Sequence, residues 1–317
     1  MLSPIVVGTI IYASLLIILC IGFSLTHLME KFPNFTHASY AIIGTIISFM
    51  MVRIWRYNPY LSVPLSSLVG GVLGIALYLL VVRPMQERGR GGIELTFALF
   101  ALSITLLSLA NVFSYWVLIF YGVGTGGFLL NDYDFTFLGY PGVLFVAPLV
   151  SIALVTVLHL LLTRARFGIA IRASAENPGL AVALGINIFR VHVASWFLTG
   201  AMSALAGALL PLWIPINLNR SDALLISIMA GSILGGLDNI YGAIVGGIMM
   251  ALAQRVLPGF LIRVLGLWIA GYEPLVPILF IVVVLMIEPR GLTGIFYEEH
   301  PRLERLRRAI FHSRSND

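Results

Sequence analysis

The chain has 317 residues, 59% of them hydrophobic and 10% charged, with a formal net charge of +5. A soluble domain carries about 25% charged residues, so this composition excludes a water-soluble globular protein and makes lipid the solvent for much of the chain. The basic excess is almost wholly arginine, Lys31 being the only lysine. The arginines fall between apolar runs, as expected of loops facing anionic cytoplasmic lipid and not of a nucleic-acid surface.

A helical span requires ~20 apolar residues. Such runs occur at 4–25, 36–55, 62–83, 94–119, 141–163, 192–214 and 273–288. Residues 223–257 form a further apolar block, too long for one span and interrupted by Gly235, Gly236, Asp238, Asn239 and Gly242. The interruption predicts two short helices joined by a tight turn. Because the runs are continuous and not alternating, they predict helices and not barrel strands. The expected fold class is all-α, a polytopic transmembrane helical bundle of about 8–9 spans. No Lys or Arg precedes the first run, and its apolar stretch exceeds the ~7–15 residues of a signal core, so it reads as a span. Cys20 is the only cysteine; no disulfide framework is possible, and it reads as a small buried apolar residue.

Arginine placement sets the expected orientation. Arg83, Arg88 and Arg90, then Arg164, Arg166, Arg172 and Arg190, then Arg290 through Arg314 mark three cytoplasmic segments, whereas 120–140 holds Asp132 and Asp134 with no Lys or Arg. The N-terminus is then outside, the turn near Asp238 cytoplasmic and the C-terminus cytoplasmic, in a cytoplasmic (inner) membrane. Arg53 and Arg56 conflict with this, falling at an outer end; either they snorkel or the boundaries within 26–61 shift. Residues 295–317 form a basic tail, of which 297–314 reads either as an amphipathic helix on the membrane surface or as a disordered segment.

The sequence carries few marks of chemistry. The histidines at 27, 37, 159, 192, 300 and 312 make no H-E-x-x-H, and there is no G-x-S-x-G or G-x-x-x-x-G-K-[ST]. No paired carboxylates lie inside a span; Glu94 and Glu288 come nearest, at cytoplasmic ends. No catalytic residue, metal ligand or bound cofactor is therefore expected. Coupling to an ion gradient usually needs ionisable groups at mid-membrane, and this chain has almost none. Energy then comes from a separate ATPase acting through a cytoplasmic loop, or the protein is a passive pore.

The loop 164–191 is suited to receive such a push. Asn177 is an N-cap residue, Pro178 follows at the first helical position, and Gly185 suits the left-handed residue past a helix end. The intervening short helix places Leu180, Val182 and Leu184 in a wet loop. Those residues require either a partner surface or packing back onto the bundle.

Here the residues carry a resemblance. The stretch FGIAIRASAENPGLAVALGIN resembles the cytoplasmic coupling loop of permeases in the branched-chain amino acid family of ABC importers. Gly168, Ala170, Arg172, Ala173, Glu176, Asn177, Ala181, Leu184, Gly185, Ile186 and Asn187 match its pattern. NFTHA at 34–38 is similar to the family's N-F-A-H-G element, with Thr36 and Ala38 departing from it. Such an element reads as a helix break at membrane depth that puts Asn34, Phe35 and His37 along a pathway. ILGGLDNIYGAIVGG at 233–247 resembles the family's glycine turn; Gly235, Gly236 and Gly242 match, while Asp238, Asn239 and Tyr241 replace the usual Gly, Ser and Pro. EPRGLTG at 288–294 resembles the family's closing element, and VVRPMQERGRGGIELTFALFALSITLLSLAN resembles the shorter of its two permease types.

The resemblance covers roughly 10–294. It implies a permease domain at 1–294, of the branched-chain amino acid/ribose type, and a tail at 295–317. It also implies a second permease subunit (a related chain or itself), two ATPase subunits that use ATP, and an extracytoplasmic substrate-binding protein. The implied cargo is a branched-chain amino acid, or urea or a short amide in related systems. The polar groups of Asn34, His37, Thr45, Ser48, Ser103, Thr105 and Asn111 fit either a weakly binding passage or helix–helix hydrogen bonds. A passive channel for small neutral solutes and a membrane-embedded enzyme are the readings from other classes.

Overall fold

The computed structural model describes residues 3–217, 221–266, 274–287 and 291–292. In chain order the helices are α1 (Pro4–Glu30), α2 (His37–Ile54), α3 (Pro59–Glu87), α4 (Gly92–Tyr121) and α5 (Val143–Arg164). Then follow α6 (Arg166–Glu176), α7 (Pro178–Ala183), α8 (Ile188–Leu212), α9 (Ser221–Gly235), α10 (Ile240–Leu265) and α11 (Leu275–Ile287). Seven of them are long and apolar enough to cross a bilayer, and α9 and α11 are shorter apolar helices. A two-stranded hairpin, β1 (Thr136–Phe137) with β2 (Tyr140–Pro141), lies in the connection between α4 and α5.

α1 is the axis of the bundle. It is apolar all round, and from Ile11 onward it is covered by α10, α8, α5 and α9. Leu15, Leu16, Ile18, Leu19, Cys20, Ile21 and Leu25 are completely buried. By contrast α4 and α5 are mostly uncovered, and side chains such as Phe97, Val112 and Ile152 face outward. That is the expected condition of helices bordered by lipid or a second subunit.

Small residues let α2, α3 and α8 approach backbone to backbone, as lipid-embedded helices require in the absence of a hydrophobic driving force. A Cβ at Gly70 would overlap the Gly200 carbonyl and the Ala204 methyl, and one at Gly44 would overlap the Ala204 backbone. Thr45 adds a hydrogen bond across this contact, donating to the Gly207 carbonyl at 2.8 Å.

The structure revises the expected boundaries in two places. α1 runs five residues beyond the expected end and stops at Lys31, in the left-handed conformation at φ 60°. The chain then turns back into the bundle, because His37, the first residue of α2, contacts Leu19 and Gly22. Leu19 lies eleven residues before Glu30, roughly 16 Å along the helix, and the six residues 31–36 can span about 20 Å when extended. The NFTHA element, where a helix break was expected, falls on this returning segment and the start of α2. The second revision concerns 223–257. It holds two helices about a tight turn, but α10 is not short: it has 26 residues and continues through Pro258 to Leu265. Proline lacks only one helical hydrogen bond, and in a span neighbouring helices tolerate that loss.

Arg53 remains at the end of α2 even though the boundaries shift. Its guanidinium donates to the Leu129 carbonyl at 3.3 Å and lies over the Tyr133 ring at 5.4 Å. The α4–α5 connection therefore partners this arginine. The tail 295–317, with the expected helix at 297–314, lies outside the described residues, as does most of 288–294.

The backbone contact at Gly70 gives a paired prediction. Gly70→Ala should destabilise the detergent-solubilised protein by about 1–3 kcal/mol through overpacking. The same change at Gly259, where a Cβ meets nothing within 4 Å, should leave the thermal midpoint unchanged or raise it, since alanine is the better helix former. Equal midpoints for the two variants would show that α3 and α8 do not pack this closely.

Candidate coupling and translocation site

One end of the bundle gathers the ends of α1, α3 and α5, the starts of α4, α8 and α10, and the whole of α6–α7. Local sequence shapes the α6–α7 segment. Gly168 sits where a Cβ would overlap the backbone of Leu161 and Leu162, so α6 folds tightly back on α5. Asn177 Oδ1 accepts from Leu180 N at 3.0 Å, and Pro178 occupies the first position of α7. At its far end Gly185 adopts φ 80°. The amides of Gly185 and Ile186 donate to the carbonyls of Val182 and Ala181, the two-bond C-cap of a Schellman motif. Asn187 then caps α8, accepting from Arg190 N at 3.1 Å.

The short helix turns one small residue inward and large ones outward. Ala181 is buried, while Leu180, Val182 and Leu184 are 58%, 59% and 71% exposed. Beside it, Arg172 and Glu176 are exposed on α6 and border a groove of about 260 Å³ with Lys31, Asp238 and Asn239 on its opposite side. This end thus presents apolar side chains next to fixed charges.

The turn between α9 and α10 closes the groove. Gly236 takes φ 103°, and a Cβ on Gly235 would overlap the Gly242 backbone. The residues that depart from the glycine-turn pattern each have a partner. Asp238 Oδ1 accepts from Lys31 Nζ at 2.8 Å. Asn239 Oδ1 caps α10, accepting from Tyr241 N at 2.9 Å and Gly242 N at 3.3 Å. The Tyr241 hydroxyl meets His159 Nδ1 at 2.7 Å. The Lys31–Asp238 pair is largely exposed, so its role is to set the position of the turn and it adds little stability.

Asn34, Phe35 and His37 fall on the returning segment. Asn34 is buried; its Oδ1 accepts from Thr36 N at 3.1 Å and from the Thr36 hydroxyl at 2.6 Å. Phe35 packs edge-on against Phe100, with ring centroids 5.5 Å apart. His37 Nε2 donates to the Leu19 carbonyl at 2.9 Å, and Ser203 Oγ donates to the His37 carbonyl at 2.7 Å. Since a carbonyl only accepts, Nε2 carries the hydrogen and Nδ1 is left bare; Nδ1 and Asn34 Nδ2 are buried without a hydrogen-bond partner. His37 thus ties α1, α2 and α8 together. Thr45 spends its hydroxyl on carbonyls of α2 and α8, and Ser103 and Thr105 spend theirs on α4.

A buried polar cluster at the same end has no counterpart in the sequence reading. Glu30 Oε1 meets His192 Nδ1 at 2.6 Å and accepts from Trp196 Nε1 at 2.7 Å, and Oε2 accepts from Gln86 Nε2 at 2.8 Å. Tyr78 stacks on His192, with ring planes 2° apart and centroids 5.5 Å apart. The cluster links the end of α1, just before the returning segment, to the second turn of α8, just after α7. The placement of Glu30 beside Lys31 in the ambiguous 26–61 stretch was the only signal of it in the sequence.

Removing Glu30 should therefore be costly. Glu30→Ala strands one buried donor, Trp196 Nε1, and two half-buried ones, on His192 and Gln86, and should lower stability by about 2–4 kcal/mol; Glu30→Gln, which keeps an acceptor oxygen, should cost well under half of that. Thermal midpoints of the purified variants in detergent check this, and equal midpoints would place Glu30 in solvent.

Comparison with known proteins gives this architecture a family. Residues 5–287 match the family described as "Branched-chain amino acid transport system / permease component". A probable branched-chain amino acid transport permease protein LivH of Methanocaldococcus jannaschii is 35% identical over 296 residues, covering 93% of this chain and 94% of that protein. The high-affinity branched-chain amino acid transport system permease protein BraD of Pseudomonas aeruginosa is 24% identical over 290 residues, covering 87% and 91%. In fold the chain resembles PsaBC from Streptococcus pneumoniae, solved in complex with Fab. The TM-score is 0.54 at 14% identity, over 90% of this chain and 92% of that one. With the family matched across nearly all of the helical bundle, the chain belongs to the permease components of branched-chain amino acid transport systems.

Proposed function

We propose that the chain is the membrane-spanning subunit of an ATP-driven importer that carries branched-chain amino acids across the cytoplasmic membrane. The observation that carries this reading is the short α7 helix. It is capped at both ends, and three large apolar side chains stand exposed beside a charged groove. A wet loop gains nothing by exposing leucines and valine unless a partner covers them. In this reading the partner is an ATPase subunit, one for each of two permease subunits, the second being a related chain or another copy of this one. The relatives' names supply the cargo. A binding protein outside delivers it, and this chain itself binds no cofactor.

Orientation follows from the arginines. The end bearing α6–α7 also bears Arg83, Arg88, Arg90, Arg164, Arg166 and Arg190, which supports a cytoplasmic position for it in this reading. The N-terminus is then outside. Movement of α7 passes directly into α8, whose second turn holds Glu30 through His192 and so reaches α1 and the returning segment. Closure of the ATPase pair would shift this rigid connection between inward- and outward-open states.

The test is uptake of radiolabelled leucine into liposomes containing the permease with its co-purified ATPase and binding protein. Uptake should require hydrolysable ATP. Changing Leu180, Val182 and Leu184 together to serine should reduce it at least tenfold, with the purified bundle unchanged in thermal midpoint. Leucine uptake without ATP or partners would make the protein a channel. Stimulation of the ATPase by loaded binding protein with urea or a short amide, and not leucine, would keep the machine and change the cargo.

A further inference from the structure

A second cavity opens toward the end opposite α6–α7. Its volume is about 600 Å³, within the ~300–1,000 Å³ of small-molecule sites. It lies where α1, α2, α9 and α10 meet the end of α8. Ile214 and Leu224 supply part of an apolar wall, and a short polar chain supplies the rest. The Tyr12 hydroxyl donates to Gln254 Oε1 at 2.9 Å, and Gln254 Nε2 donates to Ser227 Oγ at 2.8 Å. Beside them the Arg255 guanidinium lies over the Tyr12 ring, 4.8 Å from its centroid.

Arg255 is the residue that needs an explanation. It lies fifteen residues into α10, roughly 22 Å from the helix start, well within a span. An arginine at such depth is costly, and it is retained where it faces a polar cavity and serves a pathway. Among the described residues no carboxylate lies within ion-pair distance of it; the ion pairs formed are those of Asp238, Glu87, Glu94 and Glu30 with other residues. The cation is held in place by the aromatic ring, with its hydrogen-bonding edge available to a planar anion.

We propose that this cavity is a transient binding site for a zwitterionic amino acid. Its α-carboxylate sits on the Arg255 guanidinium, and its hydrocarbon side chain lies against Ile214 and Leu224. This assignment rests on the amino-acid importer reading above and names the group that would recognise the cargo. The guanidinium fork matches a carboxylate with two parallel hydrogen bonds. Among the described residues the α-ammonium meets the neutral oxygens of Gln254, Ser227 and Tyr12, so one of the two charges is matched there and the other is not. Incomplete matching suits a passage, which must release what it takes up.

The test uses the full chain in phosphatidylcholine nanodiscs, with leucine and leucinamide as probes, read by saturation-transfer NMR. Leucinamide keeps the ammonium and side chain and lacks the carboxylate. Leucine should give at least a fivefold stronger signal than leucinamide. Arg255→Gln should remove that preference, and Arg255→Lys, which keeps the charge without the fork, should retain only a small part of it. Gln254→Glu gives a second variant that keeps the bond accepted from Tyr12, gives up the one donated to Ser227 and places a carboxylate beside Arg255; it should also abolish the preference. Equal signals for the two probes, or an unchanged preference in Arg255→Gln, would overturn the site. So would loss of the leucine signal on adding phosphatidylglycerol, which would assign Arg255 to a lipid phosphate. ATP-driven leucine uptake by the wild-type complex separates the two levels. Uptake with no leucine preference overturns the site alone, and absence of uptake overturns the cargo reading and the site with it.

Discussion

A bilayer interior offers peptide groups no hydrogen-bond partner, and the arrangement of this protein follows from that constraint. In three places where the described chain leaves helical geometry, side chains or close backbone contacts take over. At 31–37 the returning backbone is held by Asn34, His37 and Ser203. At 236–242 Asn239 caps the new helix while Gly235 and Gly236 permit the reversal. At 177–187 two asparagine caps and Gly185 terminate and restart helices within a few residues. Each of these departures lies in or beside the region proposed to move or to contact a partner. Irregular backbone is expensive in this setting and is kept where it has a use.

The same constraint governs packing. Lipid tails are as apolar as leucine, so helix association depends on close contact and on hydrogen bonds between helices. Gly70 against Gly200, and Gly44 against Ala204, bring α3 and α2 onto the backbone of α8. α8 is therefore gripped along its length and begins directly after α7, the helix proposed above to meet a partner. At its start Glu30 connects it to α1 through His192 and Trp196. A displacement of α7 thus has a stiff route into the centre of the bundle, and the route is made of short backbone contacts and one buried polar cluster.

Charge is distributed unevenly between the two ends. The end with α6–α7 holds most of the described arginines together with Glu30, Glu176 and Asp238. Toward the other end, Arg53 is taken up by the α4–α5 connection, and Arg255 is stacked on Tyr12 within a cavity. Two arginines of the same composition class therefore have different surroundings: one meets a backbone carbonyl, the other an open volume suited to a small anion-bearing solute.

Much of this was legible in the sequence. Composition and run length determined a helical membrane bundle, because burial of so much apolar surface has no other solvent. The caps of α7 were legible because Asn, Pro and Gly act on their immediate neighbours, and Asn177, Pro178 and Gly185 occupy the positions their local chemistry predicts. The glycine reversal at 235–242 was legible for the same reason. What depended on distant parts of the chain was not. The return of 31–36 into the bundle depends on His37 reaching Leu19, and the continuation of α10 past Pro258 depends on neighbouring helices. Glu30 meets His192 across 162 residues of sequence, and Arg255 meets Tyr12 from the opposite end of the chain. Local propensity specifies which segments are helical and where they stop, whereas the partners of buried polar groups are fixed only when the helices pack.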